Sequence, residues 1–192
     1  MNHHRPDKQS PYWPTALMIS DIENNPDWHT PLKRLAHTYP QAGFLLRDYN
    51  HPQRARLAMA ISKECKRLQL TLFIGGAPHL AQRLGRRRHS PEALMGIYNT
   101  SHNAYSVAAH SVAALHKAAQ AGYGAVLISP IFTTPHHPQT PNLGAARLIA
   151  MARTAQTLGL MPYALGGMDK KQWHHLRRYV PTLGFAAQRF FQ

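Results

Sequence analysis

Acidic side chains are scarce in this chain: 8 Asp and Glu stand against 22 Lys and Arg in 192 residues, for a formal charge of +14. A glycosidase-like pair of facing acids is not readable in it. Any magnesium site must draw on Asp21, Asp48, Glu92, Asp169 or one of the few others. Cysteine is rarer still. Cys65 stands alone, so neither an intrachain disulfide nor a multi-cysteine zinc site can form, which fits a reducing cytoplasm. Long apolar runs are missing too. No stretch approaches the roughly 20 apolar residues of a bilayer span, and the polar start MNHHRPDKQSP lacks the apolar core of a signal peptide. A P-loop and a nucleophile elbow are absent as well. The expectation is a cytoplasmic protein with no membrane partner.

The surplus of cations favours phosphate-bearing partners, small or polymeric. Basic residues are scattered along the chain, apart from GRRRH at 85–89 and the KK…HHLRR segment at 170–178. Nucleic acid is therefore compatible but not favoured, and an oligomer is equally compatible.

Short β-like runs alternate with helical ones, the mark of a parallel α/β protein. Strands are expected over 15–21, 43–49, 70–76, 104–111, 124–129, 161–167 and 182–191. Helices are expected over 26–39, 51–69, 78–85, 112–122, 144–159 and 169–180. Residues 86–103 contain no convincing strand, although Pro91 and Glu92 could open a short helix after one near 86–90. With that eighth strand the pattern predicts a small (β/α)8 TIM barrel; no G-x-G-x-x-G turn supports an open doubly wound sheet. One barrel domain over 13–192 is expected, after a flexible segment at 1–12.

In such a barrel every strand C-terminus opens on one face. There lie Arg47, the Gly75-Gly76 pair, His110 and the stiff loop of GAVLISPIFTTPHHPQTPNLGAARL, residues 124–148. Gly166-Gly167 either forms a plain turn or brings backbone and helix amides to a phosphate. His110 is either a general acid–base group or a bystander beside a capping Ser111. His136 and His137 are adjacent, with no third ligand at zinc spacing. Arg189 falls near the phosphate corner often built after strands 7 and 8.

Taken in order, LLRDY (45–49), AAHS (108–111), SPIFTTPHHP (129–138), ALGGM (164–168) and TLGFAAQRFF (182–191) resemble the thiamine phosphate synthase family, which includes the TenI-like thiazole tautomerases. The resemblance implies a (β/α)8 barrel in which GRRRHSPE stands for the family's Gly-Ala-Asp-Gly-Val-His-Leu-x-[Gln/Glu], so the fourth strand reads as degenerate. It implies thiamine biosynthesis and a thiazole phosphate-type ligand, a small phosphorylated heterocycle, with Arg47, Ser129, Thr133, Thr134, Gly166, Gly167 and Arg189 as substrate-binding residues.

The family joins a pyrimidine diphosphate to a thiazole phosphate with magnesium and cationic groups on the leaving diphosphate. Of its Gln-x-Arg-x-Lys only Arg47 is kept. Its Asn-Asp after the third strand is Gly75-Gly76, and its Thr-x-Lys is Thr134 followed by Pro135, His136 and His137. The resemblance thus implies an eroded magnesium–diphosphate site, with no assigned metal ligand and Mg2+ as cofactor only where synthase activity is retained. Two activities follow: a thiamine phosphate synthase (transferase), or a thiazole tautomerase-like isomerase whose base is His110, His136 or His137. A reading of another class is a catalytically silent basic barrel that contacts nucleic acid or an acidic partner.

Overall fold

A computed structural model describes residues 12–97, 105–133 and 141–188. Eight parallel strands pair in chain order and the eighth closes on the first, giving the expected (β/α)8 barrel. The strands are β1 (Ala16–Ile19), β2 (Gly43–Leu46), β3 (Thr71–Gly75), β4 (Arg87–Ser90), β5 (Ser106–Ala109), β6 (Ala125–Ile128), β7 (Met161–Leu165) and β8 (Gly184–Ala187). The helices are α1 (His29–Thr38), α2 (Arg54–Arg67), α3 (Pro78–Arg83), α4 (Val112–Gln120), α5 (Gly144–Thr157) and α6 (Lys170–Arg177). A 3-10 turn, Glu92–Leu94, follows β4. Of the expected N-terminal segment, residues 1–11 lie outside the described residues.

Strand alternation decides which side chains enter the barrel. Leu17, Ile19, Leu45, Phe73, Leu127 and Tyr163 fill its interior, while Met18, Phe44, Leu72, Val126 and Phe185 face the helices. Both strand faces are covered, which is why these strands read as apolar runs instead of alternating ones. The helices answer with stripes at i, i+3, i+4 and i+7: Ala58, Ile61, Ser62 and Cys65 on α2, and Leu148, Met151, Ala152 and Ala155 on α5. Burial in that stripe pushes the Cys65 thiol up to about 12, which leaves it unreactive. Among the described residues no helix is long and apolar enough to cross a membrane.

The fourth strand forms, and its degeneracy is chemical. It pairs with β3 from Phe73↔Arg87 to Gly75↔His89, and with β5 only at His89↔Ser106 and Ser90↔Val107. Alternation turns Arg87 and His89 inward, where most of the other strands place apolar groups. The Arg87 guanidinium lies over the rings of Trp13 and Phe73, 4.9 and 5.7 Å from their centroids. Stacking on ring faces is how a cation is accommodated there without a carboxylate.

Gly184 makes room inside for Tyr163. A Cβ at Gly184 would lie 2.6 Å from the tyrosine ring, whose hydroxyl donates to the Pro14 carbonyl. The ring is thus held at its far end and cannot tilt away. Gly184→Ala is expected to cost about 1–3 kcal/mol, read as a lower urea midpoint with an unchanged denaturant slope; an unchanged midpoint would contradict this packing.

Candidate functional site

The C-terminal ends of the strands form one mouth. On the side of β1–β3 its organising group is the buried Asp48 carboxylate. One oxygen accepts from the Ser20 hydroxyl and the other from the amides of Ile22 and Glu23, at 2.7 and 3.1 Å. The Ser20 oxygen in turn accepts the Arg47 amide at 2.7 Å. These bonds tie the loop after β1 to the end of β2 and fix the backbone of Arg47, which continues the inward phase of Leu45.

Arg54, the first residue of α2, clamps the same edge. Its Nε donates to the Asp48 carbonyl at 2.9 Å, and its Nη2 to the carbonyls of Gly75 and Leu46 at 2.5 and 3.4 Å. The guanidinium lies 5.6 Å from the centroid of the Tyr49 ring. That ring covers the Gly75-Gly76 pair: a Cβ on either glycine would come within 3.1 Å of Tyr49 Cε1, and Gly76 has φ +61°. The Leu46 carbonyl, 3.0 Å from a Cβ at Gly75, crowds that position as well. Burial raises the Tyr49 phenol above its ordinary value, against the pull of Arg47 and Arg54, so it stays a hydrogen-bond donor.

Beneath the mouth, His89 donates or accepts a 3.0 Å hydrogen bond between Nδ1 and Ser106 Oγ. Burial, reinforced by the Arg47 charge, pushes its pKa down to about 3. The imidazole is therefore neutral at physiological pH.

At the ends of β4–β6, three residues meet. Glu92 Oε2 accepts the His110 amide at 2.8 Å and lies 3.9 Å from His110 Nε2. His110 Nδ1 lies 2.6 Å from the Ser129 carbonyl, which places the proton on Nδ1 and leaves Nε2 as the basic nitrogen in the neutral ring. Ser129 Oγ is 3.4 Å from the same Nδ1. Ser111 caps α4 through a 3.1 Å bond from the Ala114 amide.

The loop after β6 is seated on the end of β7. Ile131 and Phe132 amides donate to the carbonyls of Leu165 and Gly166, each at 3.1 Å. Gly166 and Gly167 have φ of +109° and +62°, and a Cβ on Gly167 would meet the Thr133 and Phe132 carbonyl oxygens at 2.6 and 2.8 Å. Close approach of that loop is the physical reason for the Gly-Gly pair. Thr133 Oγ1 accepts from Asn142 Nδ2 at 2.9 Å. Just beyond, Asp169 forms a capping box with Gln172: its carboxylate accepts the Gln172 amide at 2.7 Å, and its own amide donates to Gln172 Oε1 at 2.9 Å.

Arg47, His110, Ser129, Thr133, Gly166 and Gly167 therefore all sit at the mouth, as expected. Thr134, His136, His137 and Arg189 lie outside the described residues. Sequence reasoning missed Glu92 as the partner of His110, Arg54 and Tyr49 as the wall beside Arg47, and the His89–Ser106 pair below it. A tyrosine at 49 together with the Gly75-Gly76 pair was the available signal for the wall. Among the described residues no three His, Cys, Asp or Glu side chains are grouped to hold a metal ion.

A family model described as thiamine monophosphate synthase matches residues 32–180. The chain belongs to that family. A search among curated proteins gave no match. Among solved structures, the chain is similar to a thiamine phosphate pyrophosphorylase from Pyrococcus furiosus, with 12% identity, a TM-score of 0.67, and coverage of 90% of this chain and 84% of that one. It is also similar to the citrate synthase SbnG (11% identity, TM-score 0.63, 92% and 87% covered). A third is the 2-keto-3-deoxy-6-phospho-gluconate aldolase from Zymomonas mobilis (14%, 0.59, 91% and 81%). At these identities the solved structures speak for the barrel alone; the family model carries the membership.

Because His89 takes up a proton near pH 3 when folded but near its ordinary 6.5 when unfolded, its contribution is fully present above 6.5 and is lost as pH falls toward 3. His89→Gln, which retains a partner for Ser106, should remove this dependence. Urea unfolding from pH 7 to 4 is expected to show the unsubstituted protein losing up to about 1.4 kcal/mol per pH unit more than the variant. Parallel profiles would contradict a buried neutral imidazole.

Proposed function

We propose that the mouth binds a small phosphorylated heterocycle of the thiazole phosphate type, in the cytoplasm, and moves a proton on it, the isomerase side of the family's chemistry. The observation that carries this reading is His110 held between Glu92 and the Ser129 carbonyl. Nε2 takes a proton from a carbon of the bound ring and returns it at another ring position. Glu92 stabilises the imidazolium that forms between the two steps, and Ser129 keeps the imidazole in the required tautomer.

Magnesium–diphosphate chemistry does not fit the described residues. Both Asp48 oxygens accept protein donors, Asp21 Oδ1 accepts Asn24 Nδ2 at 2.7 Å, and Glu92 faces His110. Tyr49 covers the backbone where the family's Asn-Asp would project. The erosion read from the motifs is supported by these contacts, and condensation with a pyrimidine diphosphate is not the activity we assign.

The test is exchange of a ring C–H of thiazole phosphate in deuterated buffer, followed by proton NMR. Exchange is expected to persist in EDTA, to fall at least ~100-fold in His110→Gln, and to fall less in Glu92→Gln with a changed pH profile. Exchange that survives His110→Gln, or that requires added magnesium, would sink the proposal.

A further inference from the structure

We infer that the base of the barrel, opposite the mouth, carries an anion site of its own, in which the Arg87 guanidinium takes the oxygens of one phosphate group. The inference does not rest on the reading of the mouth, because Arg87 is the first residue of β4 and lies at the other end of the barrel.

The guanidinium carbon of Arg87 lies 4.9 Å from the Trp13 ring centroid and 5.7 Å from that of Phe73. A ring face attracts a cation but offers no lone pair to its N–H groups. Nη1 is buried and has no hydrogen-bond partner among the described residues. No carboxylate supplies one, since the ion pairs among the described residues are made by Glu64 and Glu92 with other partners. The titratable group that acts on Arg87 is the Tyr163 phenol, which burial keeps protonated and whose proton goes to the Pro14 carbonyl. Other arginines set against the strands are spent differently: Arg54 on three backbone carbonyls, and Arg86 on the Ser62 hydroxyl and carbonyl.

Burial lowers the Arg87 pKa, yet an arginine stays charged at physiological pH. A half-desolvated charge with an unmet donor is costly to the folded chain. An oxyanion that offers two acceptors to the guanidinium fork removes that cost and neutralises the charge. Phosphate is favoured over a carboxylate because no acid stands near to repel its second charge and the whole chain carries +14. A phosphate held only by the folded barrel stabilises it by mass action, so the base would tie stability to the phosphate supply.

Inorganic phosphate is the probe, titrated into the full chain in EDTA. The NMR resonance of the Arg87 Nε–H group, assigned by its loss in Arg87→Lys, is expected to shift and to saturate at roughly millimolar phosphate. Urea midpoints are then compared. Without phosphate, Arg87→Met, which keeps an apolar chain against the two rings, should match or exceed the unsubstituted protein; added phosphate should raise the unsubstituted midpoint above that of the variant. Phosphate bound at the mouth moves both midpoints alike, so their difference reads Arg87. Arg87→Lys keeps the charge without the fork and should need about tenfold more phosphate for the same rise, which tests the site even if Arg87→Met fails to fold. Proton exchange on thiazole phosphate should be unchanged in Arg87→Lys. An Arg87 resonance that ignores phosphate, or a midpoint difference that stays constant as phosphate is added, would overturn the inference. So would a response seen only in Asp7→Asn, which would give the fork to the one acid of residues 1–11.

Discussion

Closing an eight-stranded parallel sheet gives every strand an inside, and β4 has only Arg87 and His89 to put there. A charge buried without a partner costs far more than one hydrogen bond returns, and this chain has few carboxylates to offer. Each group is accommodated without one. Arg87 lies over the rings of Trp13 and Phe73, and His89 gives up its proton and bonds Ser106. Arg47 stands above a neutral imidazole, so the barrel carries its positive charge at the mouth and at the base, with an uncharged ring between. The acid shortage visible in the composition thus reappears as a rule about which interior groups remain charged.

The barrel was legible because most of its strands are apolar runs flanked by helices with clear stripes. The strand at 87–90 was hard to read for the same reason that it is interesting: its period is kept by charged and imidazole side chains, which hydropathy does not count as inward-facing. Motif order was enough to bring Arg47, His110, Ser129 and Gly166-Gly167 to one face. What motifs do not encode is partnership across the barrel. Glu92 and His110 are 18 positions apart, and Arg54 reaches Gly75 across 21; only closure brings them together. Gly166-Gly167 was read as a phosphate cradle or a turn, and the structure adds a third reason: two carbonyls of a neighbouring loop need the space of a side chain.

The mouth couples residues that are distant in sequence. Tyr49 and Gly75-Gly76 lie on different strand ends, yet the phenol ring packs within about 3.1 Å of where a side chain on either glycine would begin. Asp48 keeps a carboxylate beside Arg47 and turns it into a backbone brace. At the mouth the Arg54 guanidinium is held by backbone carbonyls, and the Asp48 carboxylate by two amides and a hydroxyl.

The residues just before β1 belong to the core. Trp13 stacks on Phe73 at 5.9 Å, and the Pro14 carbonyl receives the Tyr163 hydroxyl from 149 positions later. β1 likewise finds its second neighbour only in β8, through pairs such as Leu17↔Ala186. Until β8 is in place, β1 has one edge unpaired, and an unpaired edge invites wrong partners, so closure by β8 removes the hazard that β1 carries while the barrel is open.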